Sequence, residues 1–188
     1  MDKQPPIAPE FSRVISVDRL DQGEVVEAIR ANEQERLALA ARFGLIAIDS
    51  LSARVRLRRV GPGPVVRVEG RFSSEVVQSC VVSLEPVRNR VEEDFVLLYA
   101  SAGAGEGHGH VLEEGFGLAD DDWPEPLEKG QIDIGEAVAQ QLALALDPYP
   151  RKPGVRLEDV IGPQAGAGAG EPLGGPFAAL ARLARRDS

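Results

Sequence analysis

Alternation of apolar and polar residues organises the middle of this chain. From Leu51 to Val60, LSARVRLRRV, residues Ala53, Val55 and Leu57 fall on one side and Arg54, Arg56 and Arg58 on the other. That period of two is the mark of a half-buried strand. Gly61-Pro62-Gly63-Pro64 reads as a turn, and Val65 to Phe72 resumes the alternation with Arg67, Glu69 and Arg71 on the polar side. If the hairpin closes with Val60 opposite Val65, then Arg58 faces Arg67, Arg56 faces Glu69 and Arg54 faces Arg71. Two of these pairs are like-charged, and each costs a few tenths of a kcal/mol or more unless an anion neutralises it. Further on, Val76 to Tyr99 reads as two strands joined at Ser83-Leu84-Glu85-Pro86. Val76, Val77, Val81 and Val82 give the first its β-branched content, and Val87, Val91, Phe95, Leu97 and Tyr99 alternate along the second. Pro86 cannot donate to a ladder, so it belongs in the turn or at the start of the second strand.

Outside this region the pattern changes. Phe11 to Val17 alternates as a first strand, Asp18 to Gly23 is turn-rich, and Glu24 to Ile29 suits a second strand or a helical turn. A helix is expected over Glu33 to Phe43, with Asn32 as N-cap, Glu35 at capping-box spacing and Gly44 to close it. Leu37, Ala40 and Ala41 share one face of it, and Leu39 and Phe43 lie together across a turn. A second helix is expected over residues 131 to 146, with Asp133 as N-cap and Glu136 closing the box. Ile134, Val138, Leu142 and Leu146 recur there every four residues, joined by Ala145. The fold class that follows is α+β: a mainly antiparallel sheet, whose curl toward a barrel the sequence leaves open, covered by two helices. Composition sets the boundaries: a loose N-terminus over 1–10, a single domain over 11–161, a flexible Gly/Ala-rich linker over 162–175 and a short terminal helix over 176–188. In that last helix Phe177, Leu180, Ala181 and Ala184 share a face, and Arg182, Arg185 and Arg186 make it basic.

Composition narrows the function classes. Apolar residues make up 43% of 188 residues, which excludes disorder throughout. No apolar run approaches the roughly 20 residues that span a bilayer, so no membrane partner is expected. The opening MDKQPPIAPEF has no hydrophobic core of a signal peptide, and a single cysteine makes no internal disulfide; both fit a reducing cytoplasm. The net charge of -9 argues against a protein that coats nucleic acid electrostatically, while leaving room for a local basic patch.

Candidate chemistry is sparse. No phosphate loop of the Walker form and no nucleophile elbow is present. The two histidines, His108 and His110, lie in a Gly-rich stretch that makes a poor metal site. A metal-dependent hydrolase would draw on Glu92, Glu93, Asp94 and Asp120 to Asp122, but neighbouring acids on a strand point to opposite faces. Cys80 has no second thiol nearby, which disfavours a zinc or redox module and leaves a buried small side chain. No cofactor is expected. The arginine pairs admit two readings: Glu92 and Asp94, of one parity on a later strand, neutralise them across the sheet, or the face is exposed to bind phosphate or an acidic partner. The terminal helix likewise either docks on its own core or acts as a tethered hook; a linker of about a dozen flexible residues reaches roughly 20 Å.

Three segments carry a resemblance. Cys80-Val-Val-Ser83-Leu84-Glu85-Pro86, Ile132 to Leu146 and Pro176 to Leu180 together resemble the YceD family of large ribosomal RNA subunit accumulation proteins. The family pattern has a strand ending in C-x-x-C, then Leu-Glu-Pro, then a charged strand ending in apolar and aromatic residues. Here Ser83 stands at the second cysteine. The helix before Gly44-Leu45 fits as well, and so does Tyr149 to Gly154, YPRKPG, where other members carry a cysteine-containing segment. The resemblance implies a non-enzymatic ribosome-biogenesis factor that supports accumulation of the large-subunit ribosomal RNA. Its partner would be a ribosomal protein or the large-subunit rRNA precursor; the alternative is a metal-dependent RNA-processing hydrolase. No catalytic residue carries over. Arg54, Arg56, Arg58, Arg67, Arg71, Phe177, Leu180 and Arg182 are the candidate contact residues.

Overall fold

The computed structural model describes residues 9–60, 65–101 and 124–156. Its elements are β1 (Val14–Ser16), a 3-10 helix (Val17–Gln22), β2 (Val25–Arg30), α1 (Glu33–Phe43), β3 (Ala47–Arg59), β4 (Val65–Ser79), β5 (Pro86–Ser101), β6 (Glu125–Leu127), β7 (Gln131–Asp133) and α2 (Ile134–Ala145). Among the described residues they form a five-stranded sheet in the order β2-β3-β4-β5-β6 and a small β1-β7 pair. The sheet is antiparallel except for the short parallel contact of β6 with the end of β5. Its outer members are β2 and β6, so it is open rather than closed into a barrel. The expected α+β class holds.

One face of the sheet is sealed. α1 lies on β3, and α2 reaches β1, β4 and β5. Between them sits a core that includes Phe11, Leu39, Leu51, Val55, Phe72 and Leu142, all at most 1% exposed. Burial of each such side chain is worth about 1.5–3 kcal/mol. The polar groups taken inside are paired: the Ser74 hydroxyl donates to the Ser50 carbonyl beside the irregularity between Ile48 and Ser50, and Gln78 donates to the Asp147 carbonyl. Gly70 is required by its neighbour across the ladder, because a Cβ there would lie 2.2 Å from the Phe95 ring.

The helix ends follow their residues. Asn32 and Glu35 make a reciprocal capping box, and Gly44 closes α1 in the left-handed region at φ 66°. Asp133 accepts from the amides of Gly135 and Glu136. Glu136 does not complete that box, because its carboxylate turns to Arg42 of α1.

Other details differ from the expectations. β4 runs unbroken through Ser73 to Ser79, where two separate strands were expected; Ser74 is satisfied inside the sheet, so its polarity breaks nothing. Val81 and Val82 lie in the turn and not in a strand. Residues 131–133 form β7 against β1, so α2 begins at Ile134. β1 is only three residues long because Val17 already opens the 3-10 helix, although its N–H still donates to the Gly130 carbonyl. On α1 the buried residues are Leu39 and Ala40, with Leu37 67% exposed. A short helix resting on one strand buries a narrower face than the periodicity alone suggests.

Candidate functional site

The second face of the sheet carries the arginines. The hairpin closes with Val60 donating to Val65 at 2.9 Å, and the register sets Arg54 opposite Arg71, Arg56 opposite Glu69 and Arg58 opposite Arg67, as the alternation implies. β4 then sets Arg71 opposite Asp94 and Ser73 opposite Glu92 on β5. Among the described residues this face holds no aromatic ring. What it offers is guanidinium groups, hydroxyls and carboxylates, with a buried apolar cluster of Val60, Val65, Leu98 and Ala100 at the hairpin end.

Charge on the face is partly neutralised from within. Glu69 receives Arg67 Nε at 2.6 Å and Arg58 at 3.7 Å. The Arg67 hydrogen bond, with Arg58 and Arg56 nearby, holds the Glu69 carboxyl below its ordinary range. Arg71 lies 3.8 Å from Glu92 and 3.9 Å from Asp94, and Arg56 lies 3.7 Å from Glu24. The cross-sheet neutralisation by Glu92 and Asp94 therefore exists, but it is loose, and Glu69 is the closer anion. Arg54 makes no ion pair among the described residues. The Arg67 side chain is only 14% exposed and acts as an internal strut, whereas Arg56 and Arg71 are 51% and 67% exposed. Of the five candidate arginines, Arg54, Arg56 and Arg71 are thus the most exposed. Phe177, Leu180 and Arg182 lie outside the described residues, as do His108, His110, Asp120 to Asp122 and the linker.

The acids proposed for metal chemistry do not converge. Glu92 and Asp94 lie on the arginine face, where Glu92 bonds Arg90 and Ser73, while Glu93 has the opposite parity. Among the described residues no group of three His, Cys, Asp or Glu side chains is placed to hold a metal ion.

A second arrangement surrounds Cys80. The thiol is fully buried at the end of β4, where the chain turns through residues 81–83 and passes Leu84 at φ 60°. Cys80 N donates to the Glu85 carbonyl and Leu84 N to the Cys80 carbonyl, both at 2.9 Å. Three amides, of Val82, Ser83 and Lys152, point at Sγ from 3.4 Å. The Ser83 side chain and amide, then the Lys152 amide, pull the thiol down to about 6 against the opposing cost of burial. The 149–154 segment is pinned here by Val81 N to the Pro150 carbonyl at 2.9 Å and by a Lys152–Glu85 ion pair at 2.9 Å. Sequence reasoning treated Cys80 as an isolated small side chain and missed this amide cage. The available signal was the pairing of the Ser83 departure with the altered 149–154 segment, which the fold places side by side.

The molecule is a one-sided α+β sheet protein, with helices on one face, arginines on the other and a cysteine turn at one end. The model of the family described as large ribosomal RNA subunit accumulation protein YceD matches residues 68–184, from within β4 onward. The chain belongs to that family. No curated protein and no solved structure gives a significant match.

Proposed function

We propose that this protein is a non-enzymatic ribosome-biogenesis factor that supports accumulation of the large-subunit ribosomal RNA by binding a ribosomal protein or the large-subunit rRNA precursor in the cytoplasm. Membership of the YceD family carries the reading. The exposed guanidinium groups of Arg54, Arg56 and Arg71 support a contact with phosphate or carboxylate groups, with Arg58 and Arg67 keeping the strands in register through Glu69. The tail residues Phe177, Leu180 and Arg182, joined through the 162–175 linker, add a second, tethered contact that raises effective concentration. No helix among the described residues is long and apolar enough to cross a membrane.

Deleting the gene and profiling ribosomal RNA tests the function; normal large-to-small rRNA ratios with normal subunit peaks count against it. Pull-downs with the intact chain, a chain truncated after Gly162 and an Arg54→Glu/Arg56→Glu/Arg58→Glu variant test the contact surface. Identical partners from all three sink that assignment. An RNA partner shows affinity that falls steeply with salt. A protein partner is weakened more by Phe177→Ala or Leu180→Ala than by salt. Cleavage of precursor rRNA in magnesium, lost on Asp94→Asn, would replace binding with the hydrolase reading.

A further inference from the structure

The geometry points to the outer edge of β5 as a self-association surface, on which a second copy of this chain adds its own β5 antiparallel, about a dyad at Val91. This goes beyond the family role and rests on the ladder, the charges and the exposure of one strand.

Cys80 N donates to the Glu85 carbonyl one step beyond the Ser79–Pro86 pair, and from there the β4–β5 register runs without a break to Val65 and Ala100. Hydrogen-bonded and non-bonded pairs alternate along an antiparallel ladder. Odd-numbered residues of β5 therefore bond β4, and Arg88, Arg90, Glu92, Asp94 and Val96 turn their backbone N–H and C=O groups outward. Among the described residues, β6 takes this edge only at Tyr99 to Ser101. No other strand among the described residues pairs with the remainder, where the Arg88, Arg90 and Asp94 side chains are 77%, 67% and 76% exposed and Val96 is 43% exposed. Pro86 begins the strand at an outward position, where its missing N–H takes nothing from the β4 ladder and ends the open edge at Arg88.

The outward residues read Arg88, Arg90, Glu92, Asp94. A dyad at Val91 sets Arg88 against Asp94 of the second copy and Arg90 against Glu92 of the second copy, each twice. Outward residues meet outward residues, as a ladder demands. On the other face Val91 meets Val91 of the second copy, and Val87 meets Phe95 of the second copy. Neighbouring registers fail on charge: a dyad at Arg90 or Glu92 sets that residue against itself, one at Asn89 opposes Arg88 to Arg90, and one at Glu93 opposes Glu92 to Asp94. A dyad lying between residues opposes an outward residue to one already bonded to β4. Charged edge strands ordinarily ward off pairing; this order of signs wards off every nearby register but one. The pairing joins two five-stranded sheets into one, with both arginine faces on the same side.

Sedimentation of the full-length chain tests this. A monomer–dimer equilibrium in the micromolar range, weakened by salt, is expected. Arg88→Glu/Arg90→Glu and Glu92→Arg/Asp94→Arg each weaken self-association about tenfold or more, and an equimolar mixture of the two recovers a heterodimer. In the wild-type chain, amide exchange at Arg90, Glu92 and Asp94 slows as concentration rises, while Val91 and Glu93 stay protected throughout. That readout decides the matter even if Glu92→Arg/Asp94→Arg misfolds against Arg71. A monomer at every concentration, or a dimer whose Arg90, Glu92 and Asp94 amides exchange at an unchanged rate, overturns the proposal.

Discussion

Gly135→Ala sets two effects of opposite sign against each other. In the first turn of α2 an alanine is favoured over glycine by helix propensity, by about 1 kcal/mol at most. The structure opposes it, because a Cβ at Gly135 would lie 2.5 Å from the Phe11 carbonyl oxygen and 2.9 Å from the Arg13 nitrogen. Both are backbone atoms of a segment that cannot easily retreat. Phe11 is fully buried, Arg13 N donates to Asp133 Oδ1 at 2.7 Å, Ser12 Oγ donates to Asp133 Oδ2 at 2.5 Å, and Ile134 N donates to the Arg13 carbonyl at 3.0 Å. Overpacking costs about 1–3 kcal/mol, and weakening one or two of these bonds adds about 1 kcal/mol each, more where the acceptor is charged. The balance is a net loss of about 1–4 kcal/mol after the propensity gain is subtracted. Urea unfolding followed by circular dichroism measures it as a lower midpoint with an unchanged slope. An unchanged or higher midpoint would refute the claim that the 11–13 segment is clamped to the start of α2.

Asn32→Ala removes one half of the capping box and lowers stability by about 1 kcal/mol in the same assay. The Arg13 hydrogen bond holds the Glu35 carboxyl below its ordinary range, so its stabilisation is complete above the unfolded value of about 4.3 and is lost as pH falls through the lower folded value. The stability gap between wild type and Glu35→Gln therefore narrows on acidification, and a gap that widens below pH 4 contradicts the pairing. For Cys80, with a folded pKa of about 6 against an ordinary value of about 8.5, the contribution is full above the unfolded value and lost as pH falls through the folded one. The advantage of wild type over Cys80→Ala grows between about pH 6 and 8.5, and thiolate absorbance titrates with a midpoint near the lower value.

Legibility from sequence followed how local the determining physics was. Both helices were readable because caps act within four residues, as at Asn32 with Glu35 and at Asp133. The β3–β4 register was readable because each strand alternates strictly and closing Val60 on Val65 keeps the arginines on one face. The end of β4 was not, because Val81 and Val82 look like strand residues, and only the Cys80 hydrogen bonds and the Pro150 contact bend them into a turn. The charge balance of the arginine face was half legible. Glu92 and Asp94 were visible as same-parity acids, but the tight partner is Glu69, two residues from Arg67 on the same strand. The cage around Cys80 depends on a segment some 70 residues away in the chain, which no local pattern reveals.

The large-to-small ribosomal RNA ratio is the most direct test, measured in cells lacking the gene and complemented with either the wild-type chain or the Arg54→Glu/Arg56→Glu variant. The variant is first shown to unfold at the wild-type urea midpoint. A lowered ratio on deletion, full recovery with the wild-type chain and incomplete recovery with the variant are expected. A ratio unchanged by deletion would contradict a role in large-subunit rRNA accumulation, and full recovery with the variant would remove the arginine face from that role.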